Sequence, residues 1–507
     1  PDYATANWTY ANGNIDDGVT FSVLCESDDL STWYVDTTGS DGSGSGTQES
    51  PFATIQTGIN AAGDGDTVHV ASGTYLENIS YSGKSVSLLG DDPETTIVDA
   101  DSSGRPFFFD GDDQHTISLS GFTFTNGVWG GIYIRNSIEI NLYELIVKEN
   151  TSGGSGAGIY IKNSVGELSH VDILDNITPN GPVASGGGIY AGNSHLILDH
   201  VNVLNNYVPT SGGGAAFGSD QFGTSTTEWY NSVISGNSCL FSGGAIAFGD
   251  SVILSNLTIT QNSILHTNHD GEAISGSGSM TITNSIIWEN IGYNDDDHEI
   301  AFGTGTLNMS YTNLSGGESS INLGSEGVLN WGEGNIDADP LFCESDSGDY
   351  TLAENSPCAG TGNDAATNMG SSNGIGCDAI YLPLIITTIA DTSMDEDSEL
   401  SLQLSAESEQ EYDIYYDADS DTASVYTYVE NPGAGAGGSL TINLMTDWHG
   451  SAQITVTAYC EFDETINDTT SFTLTVNPVD DLPFVDGRIL PRNYPEDFGV
   501  DTVAYLP

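Results

Sequence analysis

Three copies of one short motif carry the side chains with the clearest chemical potential. They read GGIYIRNS, AGIYIKNS and GGIYAGNS and end at Ser137, Ser164 and Ser194. Apolar residues alternate with polar ones, so each copy predicts a strand with its tyrosine on the outer face, joined there by a cation in the first two copies. Phenol rings stack on sugars and cations meet carboxylates. The candidate carbohydrate platform consists of Tyr133, Arg135, Tyr160, Lys162 and Tyr190. In the alternative interpretation, stacked tyrosines and charges only cover the outside of the fold.

A second candidate site lies in two loops rich in histidine and aspartate. HTNHDGE spans 266–272 and NDDDHE spans 294–299, and both loops precede the same strand of successive repeats. Stacked repeats bring such loops together. Histidine would favour a transition metal and the carboxylates calcium. The candidate metal ligands are His266, His269, Asp270, Asp296, Asp297 and His298. Surface loops of this composition also occur without a metal, and that alternative stays open.

The strand motifs belong to a longer repeat. Its first three copies are 27 and 30 residues apart, and weaker copies such as GGAAFGSD, GGAIAFGDS and HEIAFGTG follow. A second alternating segment recurs in each repeat, from LYELIVKEN to ITNSIIWEN. The pattern predicts three short strands per turn and about eight turns of a coil between Gln114 and Asn335, after two less regular turns. The glycines of SGGGIYAGNS are then bends into a strand, because no helix follows them to hold a phosphate.

Two further columns of the repeat are interpreted as structural. One column ends the second segment: Asn150, Asn176, Asn206, Asn237, Asn262 and Asn290. Asparagine tolerates the left-handed backbone of a bend, and its amide can bond to the equivalent group one turn along. The other column begins with acidic and histidine side chains: Glu144, His170, His200, Asn231, Asn256 and Asn284. Because asparagine continues this column, a bend explains it better than a metal site.

Charge limits the partners that the protein can have. The 507 residues include 72 Asp and Glu against 7 Lys and Arg, a formal net charge of −65. Such a surface repels nucleic acid and anionic membrane, attracts calcium and other cations, and favours a saline setting. No run of about 18 apolar residues predicts a membrane-spanning helix. The sequence starts at Pro1 without a basic, apolar leader, so any signal peptide is expected to have been removed or to lie outside it.

The cysteines favour an oxidising, extracellular compartment. Six are present in a chain rich in Gly, Ser, Thr and Asn, and an even number is typical of disulfide-bonded proteins. Cys343, Cys358 and Cys377 lie close together, and we expect at least one disulfide in this segment. No Cys-x-x-Cys spacing supports zinc.

The segment before the repeats carries a family resemblance. WYVDTTGSDGSGSGTQESPFATIQTGINAAGDGDTVHVASGTYLENI resembles the opening of right-handed parallel β-helix proteins of the pectin-lyase-like superfold. There a strand, a glycine-rich loop and a helix-and-strand unit start the coil, and the helix caps its open end. NIDADPLFCESDSGDYTLAENSPCAGTG is similar to the closing segment of the same secreted family. The resemblance implies an all-β, right-handed parallel β-helix of about ten turns with an N-terminal capping helix, and it indicates fold better than function.

The resemblance also implies a catalytic alternative. In lyase relatives the substrate lies along one strand face, which corresponds here to GIYIKN. Removing a proton alpha to a uronate carboxylate needs a base and a cation, and Lys162 and Arg135 are the candidates. The acidic surface would repel a polyuronate unless calcium bridged the two. The paired aspartates, Gly-His-Gly and Arg-x-Lys set of the polygalacturonase-type hydrolases is missing, which argues against hydrolysis.

A second module is expected from about Leu384. Alternating runs such as SLTINLM and QITVTAY lie between turn signals and predict a β-sandwich. MDEDSELSLQL, DWHGSAQITVTA and FTLTVNPVDDLPFV are similar to tandem immunoglobulin-like or cadherin-like repeats of bacterial surface proteins. In cadherin-like relatives, acids between domains bind calcium, which implies calcium at Glu396, Asp397, Asp480 and Asp481; a solvated acidic linker is the alternative. YPEDFGVDTVAYL repeats the MDEDSELSLQL opening, so a further repeat is expected to begin there.

Together these features predict five segments and one preferred function. The segments are an N-terminal stretch (1–32), the β-helix (33–340), a disulfide-containing closing segment (341–383), an immunoglobulin-like sandwich (384–482) and the start of another repeat (483–507). We expect a secreted or cell-surface, non-enzymatic structural or adhesive protein, a stalk or fibre component. Its expected partners are polysaccharide or other surface proteins, and its expected cofactor is calcium. The alternatives are a polysaccharide lyase acting on an acidic glycan and a self-assembling subunit of an extracellular filament.

Overall fold

The computed structural model describes residues 31–479 except 82, 113, 182, 219–223, 268, 294–297, 361–366, 372–373, 382, 409–412, 432–436 and 461–464. The chain divides into two compact units, Pro1–Ile380 and Tyr381–Pro507. The first unit is a parallel β-solenoid of about 11 turns, which confirms the predicted all-β coil. Within the described residues, no helix has the length and apolarity needed to cross a membrane.

Short strands and one α-helix form the opening turns. They are β1 (Thr32–Val35), α1 (Ile55–Ala61), β2 (Thr67–Val70), β3 (Gly73–Leu76), β4 (Ile79–Ser80), β5 (Ser87–Gly90), β6 (Thr96–Asp99) and β7 (Phe107–Asp110). The side chain of Glu77 accepts hydrogen bonds from the N–H groups of Ile55 and Gln56, at 2.8 and 2.9 Å. Those N–H groups have no partner within the helix itself. Ile55 and Ile59 are buried in the core of the coil, which fixes α1 against it.

The regular turns follow, and each combines a short strand with a longer one. In chain order the strands are β8 (Thr116–Thr125), β9 (Ile132–Arg135), β10 (Glu139–Lys148), β11 (Ile159–Lys162), β12 (Val165–Leu174), β13 (Ile189–Gly192), β14 (His195–Leu204), β15 (Tyr207–Val208), β16 (Ala215–Gly218), β17 (Thr226–Ser235), β18 (Ser238–Cys239), β19 (Ile246–Phe248), β20 (Ser251–Thr260), β21 (Ser263–Ile264), β22 (Ile274–Thr283), β23 (Ile286–Trp288), β24 (Ile300–Ser310), β25 (Asn313–Leu314) and β26 (Ile321–Trp331). Equivalent strands of successive turns pair in parallel. Two of the three strands expected in each turn form one longer strand, because the chain bends between them without leaving the sheet.

That bend is made by one residue in the left-handed conformation. The residues have φ between 49° and 56°, and they are Glu144, His170, His200, Asn231, Asn256 and Asn284. Only a few residue types adopt this conformation readily. The asparagines also bond to one another, since Nδ2 of Asn284 donates to Oδ1 of Asn256 at 2.7 Å. The interpretation of this column as a bend is confirmed.

Apolar side chains at alternate positions fill the coil. Ile132, Ile159 and Ile189 lie in register on successive strands and are buried. The largest fully buried side chain is that of Trp229, whose Nε1 donates to the carbonyl of Val201 at 3.3 Å. The period-two alternation of the sequence therefore separates core from surface as predicted.

A ladder of buried asparagine side chains runs along the coil beside this core. Its members are the column predicted from the sequence, Asn150, Asn176, Asn206, Asn237, Asn262 and Asn290. Each Nδ2 donates to Oδ1 of the next asparagine at 2.9–3.0 Å, and the same Oδ1 accepts the backbone N–H of the preceding member. The predicted amide bonding between turns is confirmed.

The left-handed backbone predicted for these asparagines is wrong. It belongs instead to the residues just before them, namely Glu149, Asp175, Asn205, Gly236, Gln261 and Glu289. The bend at those positions turns the next side chain towards the interior of the coil. The asparagine is therefore selected for its buried amide, and the bend is made by a residue that faces outwards.

Glycines give the ladder room. Gly186 has φ of +69°, and a Cβ at that position would meet the carbonyl oxygen of Ile189 at 1.9 Å. A Cβ at Gly188 would lie 3.1 Å from Nδ2 of Asn206 and 2.8 Å from the carbonyl oxygen of Gly214. SGGGIYAGNS is thus a tight bend followed by a close approach to the ladder, which agrees with its interpretation as a bend.

The ladder ends on a carboxyl group. Asn290 donates to Glu299 through Nδ2 at 2.9 Å and through its backbone N–H at 3.4 Å. Glu299 comes directly before β24, at the position that Gly188 occupies directly before β13 in an earlier turn. Burial, and to a smaller extent the nearby carboxyl of Glu272, raises the pKa of Glu299 to about 8. Glu299 is therefore mostly protonated at neutral pH.

The closing segment lies on the outer face of the coil. Its strands are β27 (Phe342–Glu344), β28 (Asp349–Ala353) and β29 (Ile375–Cys377). Cys343 and Cys377 form a disulfide, which confirms that prediction, while Cys358 is buried. The hydroxyl of Tyr350 lies 2.7 Å from that of Ser235 on β17. The disulfide thus closes a segment that is already bonded to the coil.

The second unit is built from antiparallel sheets with one parallel pair. Its strands are β30 (Ile385–Ile386), β31 (Thr392–Asp395), β32 (Leu400–Gln403), β33 (Ala406–Glu407), β34 (Ile414–Ser420), β35 (Val425–Glu430), β36 (Ser439–Leu444), β37 (Gly450–Cys460) and β38 (Asn467–Asn477). They form a four-stranded sheet in the order β31-β38-β37-β34, a three-stranded sheet β32-β36-β35 and the pair β30-β33. Leu440, Ile454 and Phe472 lie in its buried core. Its immunoglobulin-like character stays a prediction.

We predict that Asn206→Ala destabilises the coil strongly. The substitution removes the acceptor of two Asn176 N–H groups and the donor to Asn237, all of them buried. Buried groups without partners cost about 1–3 kcal/mol each, so we expect a loss of at least ~2 kcal/mol in urea unfolding. Asn141→Ala, at an exposed position of β10, is the control and should change little. A loss of similar size in both variants would contradict a special role for the ladder.

We predict that Glu299 makes the coil less stable as the pH rises. Its pKa increases from 4.5 to about 8 on folding, so its stabilising contribution is complete below about pH 4.5 and is lost as the pH rises through about 8. Unfolding midpoints between pH 5 and 9 should fall for the native protein and fall less for Glu299→Gln. Glu167→Gln, exposed on β12, should keep the native slope. Parallel pH profiles for native protein and Glu299→Gln would refute this assignment.

Candidate functional site

Four aromatic rings form a stack along one outer face of the coil. The predicted tyrosines lie in register on β9, β11 and β13. The ring centroids of Tyr133 and Tyr160 are 4.7 Å apart with planes 4° from parallel, and those of Tyr160 and Tyr190 are 5.2 Å apart at 19°. Phe108 on β7 extends the stack, 5.3 Å from Tyr133 at 14°. The sequence motif does not include Phe108, because the opening turns repeat it poorly.

Three cations lie beside the aromatic stack. Arg135 and Lys162 are paired in register on β9 and β11, as predicted, and the next position on β13 is Gly192. Arg135 Nη1 also lies 3.8 Å from Asp110. Arg105 comes from the connection before β7, and its guanidinium lies 4.5 Å from the ring centroid of Tyr133. We call this surface the tyrosine face: Arg105, Phe108, Tyr133, Arg135, Tyr160, Lys162 and Tyr190.

A groove opens beside Arg105. Its volume is about 260 Å³, and it is lined by Arg105, Trp129, Ile132, Tyr133, Ser152, Gly153, Gly154, Ser155, Gly156 and Tyr160. Nε of Arg105 donates to the carbonyl of Trp129 at 2.6 Å, which holds the guanidinium at the groove. Trp129 is 63% exposed. Arg105 and Trp129 have no place in the repeated motif, and the scarcity of basic residues is the one sequence signal that marks Arg105.

Stacking decides which parts of the tyrosines a ligand can reach. Tyr133 has Phe108 on one side and Tyr160 on the other, and Tyr160 lies between Tyr133 and Tyr190. Both faces of these two rings are therefore covered, and the predicted stacking of sugars on them does not fit. Their edges and hydroxyls remain for contact. The exposed indole of Trp129 is the aromatic surface at the groove that a sugar ring can approach.

Burial shifts the pKa of two groups of the tyrosine face, Tyr160 and Arg105. It raises the pKa of Tyr160 to about 12, with smaller contributions from Tyr133 and Tyr190 that exceed the effect of the two arginines. Desolvation lowers the pKa of Arg105, but an arginine side chain remains a cation in proteins. At neutral pH the phenol of Tyr160 therefore keeps its proton and is a hydrogen-bond donor, which disfavours it as a general base. The surface therefore offers positive charge and hydroxyl groups.

The histidine and aspartate loops divide into two small groups. His298 Nδ1 lies 3.2 Å from Asp270, whose Oδ1 also accepts the backbone N–H of His298 at 2.9 Å. His266 and His269 instead lie 5.6 Å apart, and Phe241 is 4.7 Å from the ring of His269. The other two predicted ligands, Asp296 and Asp297, lie outside the described residues. Among the residues that are described, no three His, Cys, Asp or Glu side chains gather where a metal could be held.

Two of the four predicted calcium ligands of the second unit lie in the described residues. Glu396 is buried, accepts the N–H of Val479 at 2.6 Å and lies 3.3 Å from Nδ1 of His449. Asp397 follows in a left-handed turn with φ of 62°. Asp480 and Asp481 fall outside the described part of the chain. Calcium binding by these four residues remains a prediction.

Comparison with known proteins adds little to this geometry. No family model matches the chain, and no curated protein matches it. One similar solved structure is a rhamnogalacturonan lyase, with 16% sequence identity, a TM-score of 0.31, and coverage of 55% of this chain and 74% of that one.

Proposed function

We propose that the protein is a secreted or cell-surface structural or adhesive protein that binds acidic polysaccharide on its tyrosine face without acting as an enzyme. One observation carries the proposal. The tyrosine face holds three of the seven Lys and Arg residues in a chain with 72 Asp and Glu. Since basic side chains are so scarce, their concentration beside exposed hydroxyl and indole groups supports an anionic ligand.

Electrostatics favours binding at this face over any other described surface. At physiological salt the screening length is about 8 Å, so an anionic chain responds mainly to charges near its point of contact. Arg105, Arg135 and Lys162 attract it there, whereas the acidic surface elsewhere repels it. The register of β9 and β11 puts Arg135 and Lys162 on adjacent strands, about 4.8 Å apart along the coil. This spacing suits successive anionic groups of an extended polymer.

The groove beside Arg105 supports recognition of a sugar ring. Trp129 supplies an exposed indole, Ser152 and Ser155 supply hydroxyls, and Arg105 supplies a guanidinium that can hold an anionic group. The hydroxyls of Tyr133 and Tyr160 would form hydrogen bonds with sugar hydroxyls. None of these contacts requires a chemical step, and the raised pKa of Tyr160 removes one candidate base.

A second candidate function is elimination by a polysaccharide lyase. The adjacent positions of Arg135 and Lys162 favour it, because Arg135 would neutralise the substrate carboxylate while an uncharged Lys162 removed the alpha proton. The electron pair of the broken C–H bond would then form the double bond as the glycosidic oxygen leaves. This mechanism needs a lysine held without its proton, so we rank it behind binding alone.

The remaining features belong to the same proposal. A right-handed coil with α1 over its first turn, followed by an immunoglobulin-like unit, would suit a stalk that displays the tyrosine face. The Cys343–Cys377 disulfide supports an oxidising compartment. Calcium would be held by Glu396 and Asp397 together with acids outside the described residues, or by the loops around Asp270 and His298.

We predict that the double substitution Arg135→Ala, Lys162→Ala weakens polysaccharide binding by at least about tenfold. Charge-assisted hydrogen bonds contribute about 1.5–3 kcal/mol each, and both would be lost. Affinity electrophoresis against uronate and sulfated polysaccharides would measure the change, and added salt should weaken native binding. Lys148→Ala on β10 removes one positive charge outside the tyrosine face and is the matched control. Equal loss in the control and in Arg135→Ala would point to net charge instead of the face.

We predict that incubation with uronate polysaccharides yields no unsaturated product. Ultraviolet absorbance of the unsaturated sugar would reveal any product that formed. The expected result is binding with unchanged polymer length. Product formation that disappears in Lys162→Ala would overturn the non-enzymatic proposal and establish the lyase. Product that still forms in Lys162→Ala would show that the protein is an enzyme and that Lys162 is not its base.

A further inference from the structure

The last strand of the coil leaves an edge that the described chain does not pair. β26 is paired with β24 on one side, and no other strand in the described residues is paired with it. It has 11 residues, from Ile321 to Trp331. A long strand edge offers a row of backbone N–H and C=O groups to another strand. Natural proteins usually cover or disrupt such edges.

Within the described residues, apolar side chains of the coil are also less covered at this end. In β24 the inward side chains Phe302 and Leu307 are buried. In β26 the residue in register with Phe302 is Leu323, which is 38% exposed, and the outward Val328 is 52% exposed. Trp331 is only partly buried against the core. Apolar surface and unpaired backbone therefore occur on the same strand, which is the combination expected of an interface.

The sequence of β26 has an approximate two-fold symmetry. In INLGSEGVLNW, with Glu326 at the centre, the outer three positions match from both ends as apolar, Asn and Leu, whereas the two positions on either side of Glu326 do not match. If two copies of the strand ran antiparallel about Glu326, Asn322 of each would face Asn330 of the other. Leu323 would likewise face Leu329. A symmetric dimer needs this kind of self-complementary surface, because each residue meets the counterpart of its own partner.

The inward positions agree with that pairing. Ile321, Leu323, Leu329 and Trp331 are in register with the buried Ile300, Phe302, Leu307 and Met309 of β24. A shift in register near Gly324 bends β26 close to its centre, between its two halves. A two-fold axis through this bend pairs the first half of β26 in one copy with the second half in the other. The inward apolar side chains of both copies then stay on the core side of the sheet. The two cores would then become continuous.

Charge points to the same end of the coil. Two copies of a chain with a net charge of −65 repel each other over most of their surfaces. β26 contains a single charged side chain, that of Glu326. Its neighbours in the strand are Ser, Gly, Asn and apolar residues. A second copy of this chain can therefore approach β26 with less repulsion than a typical face would give.

We propose that two copies of the protein associate end to end through antiparallel pairing of β26 about Glu326. The occupant of the open edge is a second copy of the same strand. Since the contact is two-fold symmetric, it closes after two copies and does not grow into a filament. The two Glu326 carboxylates face each other at the axis, where like charges weaken a cross-strand pair. The association is therefore weak and concentration-dependent.

Sedimentation equilibrium of the intact protein tests the proposal. The native chain should show a monomer–dimer equilibrium, and Glu326→Gln should tighten it by about fivefold, as expected for removal of a like-charge pair. Leu323→Glu should give monomers at every concentration. Ile253→Glu on β20 is the control, because Ile253 is also 38% exposed but lies in the middle of the coil. It should leave the equilibrium unchanged.

A cross-linking experiment tests the register without disturbing the core. Protein with Asn322→Cys is mixed with protein carrying Asn330→Cys under oxidising conditions, since opposed Cβ atoms in such a pair lie about 5 Å apart. The mixture should form a disulfide-linked dimer faster than either variant alone. Three outcomes would overturn the proposal. The native protein and Glu326→Gln could both remain monomeric at every concentration, the dimer could persist in Leu323→Glu, or the unmixed cysteine variants could cross-link as fast as the mixture. A monomer whose β26 amides resist hydrogen exchange would do so too, because the edge would be covered within one chain.

Discussion

The structure depends on hydrogen bonds between buried asparagine side chains in neighbouring turns. Asn176, Asn206 and Asn237 each accept two N–H groups through one oxygen and donate onwards through one nitrogen. The amides thereby satisfy backbone groups that a bend would otherwise leave buried and unpaired. This bonding fixes the register of successive turns. Glu299 completes the series with a carboxyl group where the repeat no longer supplies an asparagine.

The same register determines the chemistry of the outer face. Strands spaced at the sheet distance bring Tyr133, Tyr160 and Tyr190 into direct stacking, so neighbouring rings cover both faces of Tyr133 and Tyr160. What remains for a ligand is a line of phenol hydroxyls with cations beside it, plus the exposed indole of Trp129. A surface of this kind recognises charge and hydrogen-bonding groups along an extended chain. Binding requires only these groups, whereas elimination would also require a base, and the raised pKa of about 12 disfavours the phenol of Tyr160 in that role.

The repeat could be predicted from the sequence because each turn faces the same physical problem. Alternation revealed the strands, and recurrence revealed both the asparagine column and the tyrosine column. At the buried asparagine column, the sequence pattern places the left-handed residue one position too late. The reason is that asparagine adopts the left-handed backbone readily and also provides a side-chain amide that can bond in the interior. The roles of three other residues could not be predicted, because each residue lies where the repeat is weak or where a loop departs from it. These residues are Arg105, Trp129 and Glu299. Two-fold symmetry in β26 becomes meaningful only once the strand is known to lie at an open edge.

Charge links the binding surface to the rest of the molecule. An acidic chain that gathers Arg105, Arg135 and Lys162 on one face should distinguish ligands by their anionic groups above all. The most direct measurement compares binding of the native protein to a uronate polysaccharide and to the same polymer with its carboxyl groups reduced to alcohols. The acidic polymer should bind, and the reduced, neutral polymer should bind much more weakly. Equal affinity for both polymers would contradict it.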